Sequence, residues 1–274
     1  MSNNIFTLKD KVIVITGAAG LLGRMHAEAV ASNGGIPILL DINVSGLKDF
    51  SDFLKTKYHA DTEFVEVDIT DEIAVRNTAD NISKNFLRID GLINNAANNP
   101  TMKSSVKNIS RLENFPLDQW NNDINVGLTG AFLCSKYFGQ KIADNENGGS
   151  IINISSDLGL IAPDQNLYKD KDKSREEQNV KPVTYSVVKT GIIGLTRYLA
   201  TYWPDHGVRC NALCPGGVEN NQSDDFINRV SEKIPLGRMA RSDEFQGTII
   251  WMLSDASSYL NGAVISVDGG RTAW

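Results

Sequence analysis

The sequence predicts an α/β fold: a doubly wound parallel sheet of about seven strands with helices on both faces. Three observations predict it. Short β-branched apolar runs alternate with helix-forming stretches from residue 11 to the C-terminus. The first run ends in a glycine turn, Gly17, Gly20 and Gly23, that opens a helix. Several later runs end in small or polar residues, as strands do where their carboxyl ends border a ligand crevice. Nothing between residues 1 and 274 reads as a linker or a repeat, so a single domain is expected.

Composition narrows the function before any motif does. The chain has 274 residues, 41% hydrophobic and 22% charged, with a formal net charge of −6. That balance, with no basic tract, argues against a nucleic-acid partner. Residues 1–11 lack the apolar core of a signal peptide, and no apolar run approaches the roughly 18 residues of a membrane span. Cys134, Cys210 and Cys214 form no C-x-x-C pair and have no His or third Cys nearby. No metal site is expected, and the three read as buried thiols of a cytoplasmic protein.

Taken in order, residues 11–17 read as a buried strand running into the glycine turn. Strand, turn and helix in that order point backbone N–H groups at a pyrophosphate. Gly17 allows the turn, Gly20 the approach of the phosphate, and Gly23 the close packing of helix on strand. Residues 36–40 form a second strand ending in Asp41, where a carboxylate grips ribose hydroxyls and repels the extra phosphate of NADP. NAD is therefore the expected cofactor; the lesser reading of Asp41 is a turn or helix-capping residue. Residues 64–70 read as a third strand. Asp68 at its end could meet an adenine amine or cap the helix that follows near Asp71. A fourth strand, 89–97, carries Asn94 and Asn95, which either tie strands together or line the crevice. Residues 98–117 read as a flap, and 117–143 as one long helix with Asn125 in its interior, a position for a specific hydrogen bond or a kink. The fifth strand, 150–156, ends in Ser155 and Ser156. Residues 157–184 are rich in charge of both signs and poor in apolar groups, which suggests a mobile loop over the site. Residues 208–214 form a sixth strand, 218–234 a lid, 243–253 a late helix and 263–270 a last strand and turn.

Between the last two long loops stand Tyr185 and Lys189. Val188, Ile192, Leu195 and Leu199 recur at helical spacing, so Tyr185 and Lys189 share one helix face a turn apart. A nearby ammonium favours tyrosinate over tyrosine, and the pair can relay a proton to or from a substrate oxygen. Taken alone, the spacing fits an ordinary surface pair as well.

The ordered set decides between those readings. Gly17, Gly20 and Gly23, then Asp41, Asp68 with Ile69, Asn94 through Ala97, Asn125, Ser155 with Ser156, Tyr185 with Lys189, Asn211, Pro215 with Gly216, and Asp268 through Gly270 stand in the order found in the short-chain dehydrogenase/reductases. The chain resembles that family along nearly its whole length. The resemblance implies a single-domain Rossmann-type fold. It implies Tyr185 as general acid/base, Ser156 bonded to the substrate oxygen, Lys189 holding the nicotinamide ribose, and Asn125 extending a proton relay. It also implies a cofactor site lined by Gly17, Gly20, Leu22, Gly23, Asp41, Asp68, Ile69, Asn95, Ala96, Ala97, Tyr185, Lys189, Pro215, Gly216 and Val218. A homotetramer or dimer is the assembly it suggests. Leu21 stands where single-domain members usually carry glycine. That variant and the long 157–184 insertion are similar to bacterial oxidoreductases of flagellin modification and nonulosonate-type sugar pathways. The function expected is NAD(H)-dependent interconversion of a secondary alcohol and a ketone, on a sugar or sugar derivative. The alternatives are a sugar epimerase or dehydratase using NAD transiently, and a non-catalytic dinucleotide sensor.

Overall fold

A computed structural model describes residues 4–98 and 109–274. The strands are β1 (Val12–Thr16), β2 (Ile36–Asp41), β3 (Glu63–Glu66), β4 (Gly91–Asn94), β5 (Gly149–Ile154), β6 (Val208–Pro215) and β7 (Val264–Val267). They form one parallel sheet in the order β3-β2-β1-β4-β5-β6-β7. The direction of winding reverses between β1 and β4. The connections leaving the carboxyl ends of those strands run to opposite sides there, which is where such sheets bind ligands.

The helices are α1 (Leu21–Ser32), α2 (Val44–Tyr58), α3 (Glu72–Phe86), α4 (Leu117–Ile124), α5 (Gly130–Ala143), α6 (Val183–Ala200), α7 (Asp224–Ser231) and α8 (Gln246–Leu253). Strand alternation divides the core into two layers. Ile13, Ile15, Leu39 and Ile152 face α1, α2 and α8 through Val30, Leu47, Phe50, Ile249 and Met252. Val12, Val14, Leu40 and Ile151 face α3, α5 and α6 through Val75, Ile82, Phe138, Ile142 and Leu199. Central strands buried on both faces are why their sequences read as continuous apolar runs rather than alternating ones.

Three local expectations are corrected. The third strand ends at Glu66, not at residue 70, because the Asp68 carboxylate folds back to accept from the Thr70 N–H (2.9 Å) and hydroxyl (2.7 Å). Asp68 does not cap α3. Asp71 does, accepting from the N–H groups of Ile73 and Ala74. The helix over 117–143 is interrupted: Asn125–Thr129 is a π-helical turn between α4 and α5. A Cβ at Gly127 would lie 2.5 Å from Val188 Cγ1, so α6 packs directly onto that turn.

The 157–184 segment has structure of its own, with 3-10 turns at Asp157–Gly159, Gln165–Tyr168 and Arg175–Glu177. The Gln178 side chain cross-links it, accepting from the Asp170 N–H (2.7 Å) and donating to the Asp170 (2.6 Å) and Lys173 (2.7 Å) carbonyls. The region foreseen as a lid contains α7. It meets the insertion through Phe226 against Tyr168, with ring centroids 5.6 Å apart, and through Lys233 paired with Asp164 at 3.1 Å.

Candidate active site

The crevice begins at the glycine turn. Gly17 has φ +64°, and a Cβ there would lie 2.8 Å from Ala96 Cα. A Cβ at Gly23 would lie 2.1 Å from the Gly17 carbonyl oxygen. Only glycine fits at either position. Gly20 caps α1 without any side-chain bond, and no acidic residue stands in the first helical turn. The leading N–H groups of α1 are therefore open to an anion, and the helix dipole favours one. Leu21 opens the helix with its side chain partly in solvent, so the missing glycine leaves the turn undistorted.

The neighbouring strand braces this turn. Thr16 Oγ1 accepts from the N–H groups of Asn95 (3.0 Å) and Ala96 (3.1 Å). The Asn95 amide donates to the carbonyls of Thr16 (3.0 Å) and Gly17 (3.2 Å). Asn94 instead ties the sheet to α5, donating to Asn153 Oδ1 (2.8 Å) and Ser135 Oγ (3.0 Å). The two adjacent amides thus divide the two roles that sequence reading left open. Asp41 ends β2 beside the turn, accepting from the N–H groups of Ala19 (3.0 Å) and Asn43 (3.0 Å). Leu22 is half-buried against the α1 layer, and Ala96 and Ala97 follow at the mouth of β4. Ile69 is buried under Gly130, while Asp68 is exposed. On the far side of the crevice, Gly216 lies so close to Asp268 that a Cβ would come within 2.7 Å of Asp268 Cα. Val218 bridges to Ala240.

Ser156, Tyr185 and Lys189 meet at the end of β5. Ser156 Oγ donates to the Asp157 carboxylate at 2.7 Å and accepts from the Leu158 N–H at 3.2 Å. Lys189 is 6% exposed, and its ammonium donates to the Ile154 carbonyl at 2.9 Å. Lys189 Nζ lies 5.9 Å from the Tyr185 ring centroid. Burial, and then the charge of Lys181, pushes the Lys189 pKa down to about 8. Burial pushes the Tyr185 phenol up, against the bond from Ser156 that pulls it down. Burial thus favours the neutral phenol, against the tyrosinate-favouring effect expected of a nearby ammonium. Asn125 begins the π-helical turn with its side chain exposed and makes no hydrogen bond to Lys189.

A family model described as enoyl-(acyl carrier protein) reductase matches residues 17–272. The chain belongs to the short-chain dehydrogenase/reductase family. It is 32% identical to the uncharacterized oxidoreductase YxbG of Bacillus subtilis, over 97% of this chain and 93% of that one. It is 29% identical to a D-threitol dehydrogenase of Mycolicibacterium smegmatis, covering 97% and 95% of the two chains. It is also 29% identical to the post-translational flagellin modification protein A of Campylobacter coli, covering 96% and 98%. Among solved structures, a short-chain type dehydrogenase/reductase of Mycobacterium marinum superposes with a TM-score of 0.83 at 25% identity, covering 99% and 98%. A protein of Beutenbergia cavernae, assigned as an NAD(P)-dependent gluconate 5-dehydrogenase and solved with NADP, superposes with a TM-score of 0.82 at 27% identity, covering 99% and 100%. The chain is an oxidoreductase of a family that uses NAD(P). No helix among the described residues is long and apolar enough to cross a membrane.

Sequence reading missed several residues at this oxidoreductase's site. Asp157 bonds Ser156 directly, and burial raises its pKa. Lys181 Nζ lies 3.7 Å from the Tyr185 ring centroid, and burial lowers its pKa to about 8. Tyr168, from the insertion, is pushed up to about 12 by burial, with the charges of Tyr185, Asp157 and Arg271 acting on it as well. Asp123 is buried in α4 and accepts from the Thr184 hydroxyl (2.5 Å) and the Gln119 amide (2.7 Å), fixing the start of α6 one residue before Tyr185. Only Lys181 left a signal in the sequence: it stands four residues before Tyr185, the same separation as Lys189 on the other side.

Proposed function

We propose that this enzyme interconverts a secondary alcohol and a ketone on a sugar or sugar derivative, using NAD(H) in preference to NADP(H). The observation that carries it is the convergence of Ser156, Tyr185 and buried Lys189 beside the braced glycine turn. A sensor would need the turn but not a proton-transfer chain. The relatives that act on threitol and are assigned to gluconate favour a polyhydroxylated substrate.

When bound, the nicotinamide supplies the hydride acceptor or donor and, in its oxidised form, a positive charge. The protein's own residues do the rest. The glycine turn and the α1 N-terminus bind pyrophosphate. Lys189, pinned by Ile154, keeps two N–H donors for the nicotinamide ribose. Ser156 Oγ, whose O–H donates to Asp157 in the free chain, can accept from a substrate hydroxyl, and by turning that O–H away from Asp157 it can donate to a ketone oxygen. Tyr185 donates a proton to the carbonyl oxygen in reduction and removes it from the hydroxyl in oxidation. Asn125 extends that path toward solvent. Leu22, Asp68, Ala97, Pro215 and Val218 line the remaining cofactor cleft, and Ile69 supports it from below.

The NAD preference rests on Asp41, whose carboxylate opposes a 2′-phosphate. The chain acts as one domain, with the insertion and the α7 region closing over the substrate. Exposed Phe132 on α5, and Tyr198 and Tyr202 at the end of α6, fit assembly into a homotetramer or dimer. Three unpaired buried thiols fit the cytoplasm.

Titrating NADH and NADPH against the tryptophan fluorescence of wild type and Asp41→Ala tests the cofactor assignment. Wild type should take NADH at least about tenfold more tightly, and Asp41→Ala should bring the two together. Equal binding to wild type would remove the NAD preference. Absence of binding by either would remove the dinucleotide site. A screen of alditols and keto sugars for NADH formation or consumption then tests the reaction. Tightly co-purifying NAD with no net NADH change would point to the epimerase or dehydratase alternative.

A further inference from the structure

Lys181 is not explained by alcohol–ketone chemistry alone. Its ammonium lies 3.7 Å from the centroid of the Tyr185 ring, yet a second cation is not needed to hold a ribose already served by Lys189. It is half-buried and makes no ion pair among the described residues. Residues 1–3 and 99–108 contain no Asp or Glu, so they cannot supply a carboxylate either. The nearby acid, Asp157, is already committed to the Ser156 hydroxyl and the Leu158 N–H. A desolvated cation whose company is an aromatic face and a carboxylate already hydrogen-bonded elsewhere is poorly compensated.

The placement is also fixed. The Lys181 N–H donates to Gln165 Oε1 at 2.8 Å, and the Val180 N–H donates to Ser110 Oγ at 3.1 Å. Pro182 follows as the α6 N-cap and restricts the preceding backbone. The insertion therefore holds the base of this side chain against the catalytic tyrosine instead of leaving it free in solvent.

We propose that Lys181 is a specificity residue that binds a carboxylate on the substrate, so that the enzyme acts on an acidic sugar derivative, a hydroxy or keto acid, in place of a neutral polyol. This rests on the oxidoreductase reading above and adds the charge of the substrate to it. Asp157, from the turn after β5, acts on Lys181 by its charge, Lys181 acts in turn on Lys189, and the Tyr185 ring lies against the Lys181 ammonium. Arg271 bears on Asp157 and on Tyr168 of the insertion. Of these groups Asp157 opposes a bound anion at neutral pH. The carboxylate of the substrate would complete the charge balance that the protein leaves open.

The test titrates the full-length enzyme–NADH complex, by NADH fluorescence, with aldonates of three to six carbons and alditols of the same skeletons. D-gluconate against D-sorbitol is the six-carbon pair. Wild type should bind at least one aldonate about 10–100-fold more tightly than its alditol, the range of a charge-assisted hydrogen bond. Lys181→Met should bring that ratio to about one while binding NADH normally, and Lys181→Arg should keep it. The wild-type advantage should also fade from pH 7 to 9 as Lys181 loses its proton, a decline absent in Lys181→Met. Equal binding of acid and alcohol by wild type, binding of no probe by a complex that does form with NADH, or a preference that survives in Lys181→Met overturns the proposal. So does a change confined to the pH profile of turnover, which would make Lys181 a modulator of Tyr185 alone. Failure to form the NADH complex at all would instead remove the oxidoreductase reading beneath it.

Discussion

Tyr185 shows how far a single residue's chemistry depends on what surrounds it. Burial raises its pKa, so the free enzyme presents a proton donor, suited to reducing a ketone. Oxidation needs the phenolate, whose fraction rises with pH. The oxidative kcat should therefore climb from pH 7 into the alkaline range, while the reductive rate should be flat or fall. A stopped-flow pH series in both directions checks this, and parallel profiles would contradict it. Thr16 carries a second prediction. It is 1% exposed and accepts from two N–H groups, so Thr16→Val leaves both without their partner. We expect a loss of about 1–3 kcal/mol in urea unfolding and weaker NADH binding. An unchanged midpoint would show that the brace is dispensable. At this scale the sequence made Tyr185, Lys189 and Ser156 legible, because helical spacing and strand ends are local properties. Asp157, Tyr168 and Lys181 owe their importance to how the insertion folds back over the site, and nothing in their immediate neighbours encodes that. That burial opposes the lysine's effect on Tyr185 was not legible, because spacing carries no information about desolvation.

The glycine turn is the element proposed to hold the cofactor, and its tolerance is set by distance. A methyl at position 23 would come within 2.1 Å of the Gly17 carbonyl, which is backbone and cannot swing aside. Gly23→Ala should abolish NADH binding by tryptophan quenching, and a soluble variant that still binds would refute this account of the turn. The insertion is held by Gln178, so Gln178→Ala should expose residues 165–178 to limited proteolysis at a native-like unfolding midpoint. Strand and helix identities were readable from apolar periodicity. The end of β3 was not, because Val67 and Ile69 continue an alternating pattern through residues that Asp68 turns into a loop. The π-helical turn at Asn125–Thr129 was visible only as an interior Asn, since its cause is the close approach of Val188 from α6.

At the scale of the molecule, the parallel sheet brings the carboxyl ends of its strands to one edge, and α6 brings Tyr185 and Lys189 to the same edge beside Ser156. The alternation of strands and helices foretold this, and the order of motifs along the chain foretold the family. What stayed hidden were groups buried for reasons that only packing reveals. His26 is one. It is fully buried in α1 with neither ring nitrogen hydrogen-bonded, and burial lowers its pKa from 6.5 to about 3. Between those values the unfolded chain binds a proton that the folded chain does not, so stability is full above pH 6.5 and falls toward pH 3. The slope from this residue is about 1.4 kcal/mol per pH unit. His26→Leu should flatten the acid limb of the unfolding midpoint against pH, and an identical limb would show that His26 relaxes into contact with water. The central claim is that a buried tyrosine moves the proton while a bound dinucleotide moves the hydride. The most direct test is to measure NADH binding and NAD-linked turnover side by side in wild type and Tyr185→Phe, on an alcohol found by the substrate screen. The account predicts unchanged NADH binding and a kcat reduced by about a hundredfold to ten-thousandfold. Turnover within a few-fold of wild type would contradict it, since the proton would then be moving by another route.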